Sequence, residues 1–125
     1  MKILFLDDDP YRHELVLKQL RKAGLQVVAV FTAAEAITWI QREKFRLILL
    51  DHDLDGEIYA PSGPGTGFEV AELMPQTVNK DTDVIVHSLN SIGAQKMIEA
   101  IGKNARWIPF YELPRHLERM FVGGQ

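Results

Sequence analysis

Residues 2–10 read KILFLDDDP and residues 46–54 read RLILLDHDL. In each, four apolar residues run straight into acid: Ile3 to Leu6 end at Asp7, Asp8 and Asp9, and Leu47 to Leu50 end at Asp51. Unbroken runs this short read as strands buried on both faces, the habit of a parallel sheet. Carboxylates gathered at such strand ends repel one another unless positive charge lies between them, so the cluster predicts a site for a hard divalent cation such as Mg²⁺. Such cations serve phosphate chemistry.

Working outward, Val27 to Val30 and Val84 to Val86 read as two more buried strands, with a weaker fifth around Arg106 to Phe110. Between them lie segments of helical spacing: Val16, Leu20 and Ala23; Ala33, Ala36, Ile37 and Ile40; Val70, Ala71 and Met74; Ala94, Met97, Ile98 and Ile101. Asp9-Pro10 places an N-cap before a proline at the first helical position, and Thr32 and Asn90 cap the second and fourth helices. Gly24 and Gly102 stand where helices should stop. Alternation of this kind predicts an α/β, three-layer αβα domain of flavodoxin-like fold, with a five-stranded parallel sheet of order 2-1-3-4-5. In that order strands one and three are neighbours at the switch point, and a ligand crevice is expected outside their carboxyl ends, where the acidic residues meet.

With 125 residues, 46% hydrophobic and 25% charged, the chain is expected to close one core over residues 1–125. There is no cysteine, which excludes disulfides, thiolate metal sites and thiol nucleophiles. Met1-Lys2 runs directly into the first strand without an apolar stretch long enough for a signal peptide or membrane span, so a cytoplasmic protein with no membrane partner is expected. A net charge of −3 argues against a general nucleic-acid-binding surface and leaves room for a local patch that binds one RNA end. The long irregular stretch Asp53 to Thr66, rich in glycine and proline, is expected to be functional, as a lid over the crevice.

KILFLDDDP, followed by LILLD ending at Asp51, resembles the receiver domain of bacterial response regulators, and the resemblance covers nearly the whole chain. It implies that Asp7 and Asp8 are the Mg²⁺-binding acidic pair, Asp51 the phosphate-accepting aspartate, and Ser88 the hydroxyl residue after strand four. Thr66 to Glu69 resembles the start of the third helix. Where receivers carry a lysine before proline at the end of strand five, this chain reads Trp107-Ile108-Pro109-Phe110, so a charge that would contact a phosphoryl group is expected to be gone. Histidines accompany the acids: His52 after Asp51, His87 before Ser88, and His13 one helical turn after Asp9. LDDDP with Arg12-His13, LDHDL from Leu50 to Leu54, and Val86-His87-Ser88 resemble a divergent branch, the cyclic-phosphate-processing receiver-like domains. That resemblance implies phosphoesterase chemistry on a receiver site, acting on a phosphate-containing small molecule or an RNA end. No DNA-binding domain is expected.

Each candidate has a plain reading beside the functional one. Asp9 is a helix cap; Asp7, Asp8 and Asp51 are metal ligands; Asp53 either joins them or begins the loop. His52 either moves protons in phosphoester cleavage, as an imidazole can near neutrality, or is an exposed loop residue. His87 is either an acid-base group or a satisfied core histidine, and His13 either faces the site or solvent. Ser88 either binds a phosphoryl oxygen or ends a strand, and Arg12 either holds phosphate or neutralises Asp8 or Asp9. The expected activity is a Mg²⁺- or Mn²⁺-dependent phosphoesterase with Asp51, His52 and His87 catalytic. The alternative is a stand-alone receiver, phosphorylated on Asp51 and signalling through a protein partner.

Overall fold

The computed structural model describes residues 1–54 and 61–123. Five parallel strands, β1 (Ile3–Leu6), β2 (Val27–Val30), β3 (Leu47–Leu50), β4 (Asp83–Val86) and β5 (Ala105–Trp107), form one sheet of order β2-β1-β3-β4-β5. Helices α1 (Pro10–Lys22), α2 (Ala33–Arg42), α3 (Gly67–Leu73), α4 (Ser91–Ile101) and α5 (Leu113–Glu118) cover both faces. The expected flavodoxin-like order is the observed one. No helix among the described residues is long and apolar enough to cross a membrane.

Local chemistry sets the helix starts. The Asp9 carboxylate accepts from the Tyr11 N–H at 2.9 Å, and Thr32 and Glu35 form a reciprocal capping box at α2. Asn90 accepts from the Gly93 N–H at 3.0 Å at the start of α4. Gly24 and Gly102 have φ of 82° and 98°, a backbone that L side chains rarely adopt, just past α1 and α4.

One expectation needs correction. The fifth strand ends at Trp107 rather than Phe110, because Pro109 has no N–H to give the ladder and Phe110 opens a 3₁₀ turn. A fifth helix, α5, follows it and continues as a π-helical turn over Arg119–Gly123. Its short span and Pro114 in its first turn leave only Leu113 and Leu117 as a periodic signal.

Side-chain alternation along the strands divides the core. Leu4, Leu6, Ile48, Leu50, Val84 and Val86 pack with α2, α3 and α4, while Ile3, Phe5, Leu47, Leu49 and Ile85 pack with α1 and α5. Fully burying one such side chain contributes about 1.5–3 kcal/mol. The register also levels the strand ends, since Leu6 pairs with both Val30 and Leu50, and Leu50 pairs with Val86. Phe31, Asp7, Asp51 and His87 are therefore the first residues beyond one line across the sheet.

Candidate metal and phosphate site

Backbone hydrogen bonds continue the ladder one step past the strands: Asp7 N–H to Val30 O at 3.2 Å, Asp51 N–H to Leu6 O at 3.1 Å, His87 N–H to Leu50 O at 2.9 Å, and Ile108 N–H to Val86 O at 2.9 Å. By alternation these residues turn to the α1 and α5 side. Carboxylate oxygens of Asp7, Asp8 and Asp51 lie within 4.8 Å of one another, with Asp7 and Asp51 buried. Burial raises the Asp7 pKa, opposed by the Asp9 N–H, which donates to its Oδ1 at 2.9 Å, and by Arg12. Burial first, and then the Asp7 carboxylate, push Asp51 up to about 8 against the pull of Arg12. Carboxyl groups raised by burial and by a neighbouring acidic charge have the chemistry of a divalent oxygen site, and these residues fit such an ion.

Arg12 lies where the positive charge was expected to be missing. Its Nη1 is 3.4 Å from Asp7 Oδ2 and 3.9 Å from Asp51 Oδ2, its Nε is 3.8 Å from Asp9 Oδ2, and its guanidinium rests 4.6 Å over the Phe110 ring. Ile108 packs into the α1–α5 side of the core. The cation comes from the first turn of α1 instead of the end of β5, and it meets Asp7 and Asp51 as well as the expected Asp9.

The histidines divide into two environments. His87 is fully buried, stacked on Phe5 at 5.2 Å, with Nε2 3.2 Å from Leu6 O. A carbonyl only accepts, so Nε2 carries the proton, and burial with the nearby Arg12 charge lowers the pKa to about 3. Its Nδ1 is then a bare lone pair without a hydrogen-bond partner, 3.7 Å from Asp7 Oδ2. His13 is built alike, with Nε2 donating to Asp7 O at 2.7 Å and Nδ1 buried without a partner.

His52 goes the other way. It is buried under α4, its Nδ1 2.7 Å from Asp53 Oδ1 and its Nε2 2.8 Å from Ser62 Oγ. Asn90 Nδ2 donates to the same Asp53 oxygen at 3.1 Å. The Asp53 carboxylate thus binds His52 and Asn90 and stands outside the group of Asp7, Asp8 and Asp51. A Cβ on Gly93 would lie 2.6 Å from the His52 ring, and one on Gly67 1.8 Å from Asp51 O, so both glycines are required by close approach. Ser88 is buried, its Oγ accepting from the Asn90 N–H at 3.0 Å and its carbonyl accepting from the Trp107 indole at 2.8 Å. Of the long stretch expected as a lid, residues 55–60 lie outside the described residues.

Sequence reasoning missed Phe31, Phe110, Asn90 as a side-chain partner, and Ser62. Only Phe31 carried a usable signal, as the residue following β2 on the line that carries Asp7 and Asp51.

Known proteins share this scaffold. The receiver domain of sensor histidine kinase PA1611 from Pseudomonas aeruginosa PAO1, solved with a magnesium ion coordinated in its active-site cleft, aligns with a TM-score of 0.70 at 22% identity, covering 98% of this chain and 97% of that one. Response regulator TrrA from Thermotoga maritima, solved in complex with Mg²⁺-BeF, aligns with a TM-score of 0.70 at 23% identity, covering 96% and 99%. At such identities the likeness establishes the fold. Among curated proteins, Sensor protein TorS of Escherichia coli (strain K12) is 34% identical over 55 residues, which are 43% of this chain and 6% of that much longer protein. A sequence model described as Cyclic-phosphate processing Receiver domain matches residues 2–103. The chain belongs to that family.

Proposed function

We propose that this protein is a metal-dependent phosphoesterase that opens cyclic phosphate ends on RNA or nucleotides. The observation that supports it is the bare, buried Nδ1 of His87 3.7 Å from Asp7, a hydrogen-bond acceptor set beside an acidic site. Asp7, Asp8 and Asp51 would hold Mg²⁺ or Mn²⁺, which when bound polarises a phosphate oxygen as a Lewis acid. Arg12, cradled by Phe110, takes the remaining phosphoryl charge. In ring opening a water oxygen bonds phosphorus and one phosphorus–ester oxygen bond breaks. His87 Nδ1, held neutral by its burial, accepts a hydrogen bond from the attacking water and orients it beside Asp7, while the water's proton leaves to solvent and the released ester oxygen is protonated from solvent. His52, with both ring nitrogens occupied by Asp53 and Ser62, is a positioning residue whose backbone N–H fixes Asp51 Oδ1 at 2.8 Å. Ser88, its Oγ bonded to the Asn90 N–H, holds the turn from β4 into α4 beside the site.

The test is hydrolysis of 2′,3′-cyclic nucleotides and a cyclic-phosphate-ended RNA with and without Mg²⁺ or Mn²⁺, beside Asp51→Ala and His87→Ala. Metal-dependent turnover lost in both variants is the expected result; no turnover by protein that still binds metal overturns the proposal.

A second reading is favoured by Arg12, whose reach toward Asp51 Oδ2 could stand in for the receiver lysine. On it, Asp51 is phosphorylated and the domain signals through a protein partner. Asp51-dependent modification by acetyl phosphate, with a conformational shift, supports that reading; inertness to acetyl phosphate and beryllofluoride removes it.

A further inference from the structure

Phe31 is an exposed aromatic that the core does not require. It is 41% exposed and belongs to neither apolar cluster, yet it is fixed at both ends. Its N–H donates to Glu35 Oε1 at 3.1 Å, in the capping box of α2. Its ring lies nearly parallel to His13, 3.9 Å away and inclined by 20°, and His13 is itself tied to Asp7 O at 2.7 Å. A large apolar ring is thus rigidly mounted on the imidazole that touches the acidic site, with one face covered by His13. The neighbouring strand of the ladder joins it to the same residue, Asp7 N–H bonding Val30 O.

We propose that Phe31 is the stacking platform for the nucleobase of a nucleotide or RNA end whose phosphate sits at Asp7, Asp51 and Arg12, an inference that rests on the phosphoesterase reading. A planar, uncharged, polarisable ring suits a preorganised aromatic face, whereas a sugar phosphate without a base has nothing to lay on it. Phe31 offers no polar atom to read base edges, so the subsite accepts any base, in order of stacking strength. His13, Phe31 and the base form one continuous stack.

The experiment compares 2′,3′-cyclic AMP with glycerol 1,2-cyclic phosphate, which lacks a base, by calorimetric binding and by turnover in Mn²⁺. Wild type should favour the nucleotide by about tenfold or more, the contribution of one stacked base. In Phe31→Leu, which still covers His13, the ratio should fall to near one, and Phe31→Trp should restore it. A wild-type ratio near one, a ratio unchanged in Phe31→Leu, or no binding of either probe overturns the platform. Equal turnover of both probes does so while leaving the phosphoesterase reading intact. Binding with the expected ratios but no turnover upholds the platform and defeats that reading.

Discussion

Asp51 and His52 are adjacent in sequence, and the alternation at the end of β3 sends them to opposite faces of the sheet, into two polar clusters of opposite character. On the α1 side, Asp51 meets Asp7, Asp8 and Arg12, with two imidazole nitrogens, His87 Nδ1 and His13 Nδ1, lacking hydrogen-bond partners. On the α4 side, both ring nitrogens of His52 are bonded, to Asp53 and Ser62, and Asn90 completes the group. The first cluster holds two imidazole lone pairs without hydrogen-bond partners; in the second both nitrogens of the imidazole are bonded. A site that must bind a cation and a phosphate has to leave charge and lone pairs uncompensated, whereas a polar group that only holds backbone in place is most stable when fully paired.

The sharpest way to break the contrast is to remove its pivot. Asp51→Ala should lower turnover at least about 100-fold and abolish the Mg²⁺-induced rise in melting temperature, since a cation that binds only the folded state stabilises it by mass action. In chelator the same substitution removes an acid whose charged form burial and Asp7 disfavour but strips the His52 N–H of its acceptor, so a loss of no more than about 1–3 kcal/mol is expected. Melting curves with Mg²⁺ and with chelator check both halves.

The closed cluster should respond oppositely. Gly93→Ala drives a methyl group into the His52 ring, which Asp53 and Ser62 prevent from turning aside, and a cost of about 1–3 kcal/mol is expected with or without metal. Denaturant titration in both conditions reads this; a loss confined to the metal-bound state would move His52 into the metal site.

How much of this contrast the sequence displays follows from the range of each interaction. The acid at each strand end, the caps Asp9, Thr32 and Asn90, and the alternation that orders the sheet are local, and all were legible. Asp7, Asp8 and Asp51 come together through strand order alone, so the fold expectation carried them. The partners of His52 were not legible, because its ring fits only beside a glycine 41 positions away that has no Cβ and bonds a serine across the loop. Arg12 was legible as a neighbour of the acids from its place in the first turn of the first helix, but its reach to Asp7 and Asp51 was not, since that depends on how the first helix packs against the sheet. The α5 helix escaped because two leucines and a proline make too short a pattern.

Titration separates the clusters further. Asp51 has its pKa raised from 3.8 to about 8, so its protonated form favours the fold at low pH, and that stability is lost as pH rises through 8. His87 is lowered from 6.5 to about 3, so its neutral form favours the fold above 6.5, and that stability is lost as pH falls toward 3. The two slopes oppose each other between about 4 and 6.5 and leave Asp51 unopposed by His87 above that. In chelator, stability should therefore fall by roughly 1.4 kcal/mol per pH unit between pH 6.5 and 8. Asp51→Asn should flatten this limb, and so should saturating Mg²⁺ in the wild type. Urea denaturation at half-unit steps measures it; a limb that survives in Asp51→Asn assigns the titration to another group.

The smallest expected effect sharpens the comparison most, because it asks whether the closed cluster contributes charge or only shape. Asp53→Asn keeps an amide oxygen to accept from His52 Nδ1 and so preserves the hydrogen bond, at a cost of about 1 kcal/mol or less. If Asp53 serves only to hold His52, metal affinity should change less than about twofold, because its charge is directed at the imidazole and at Asn90 and not at the cation. If Asp53 instead joins Asp7, Asp8 and Asp51 when metal binds, the same substitution should weaken Mn²⁺ by about tenfold or more, as loss of a charged ligand does. Calorimetric titration of Mn²⁺ distinguishes the two outcomes, and only the second would place both faces of the β3 terminus in one site.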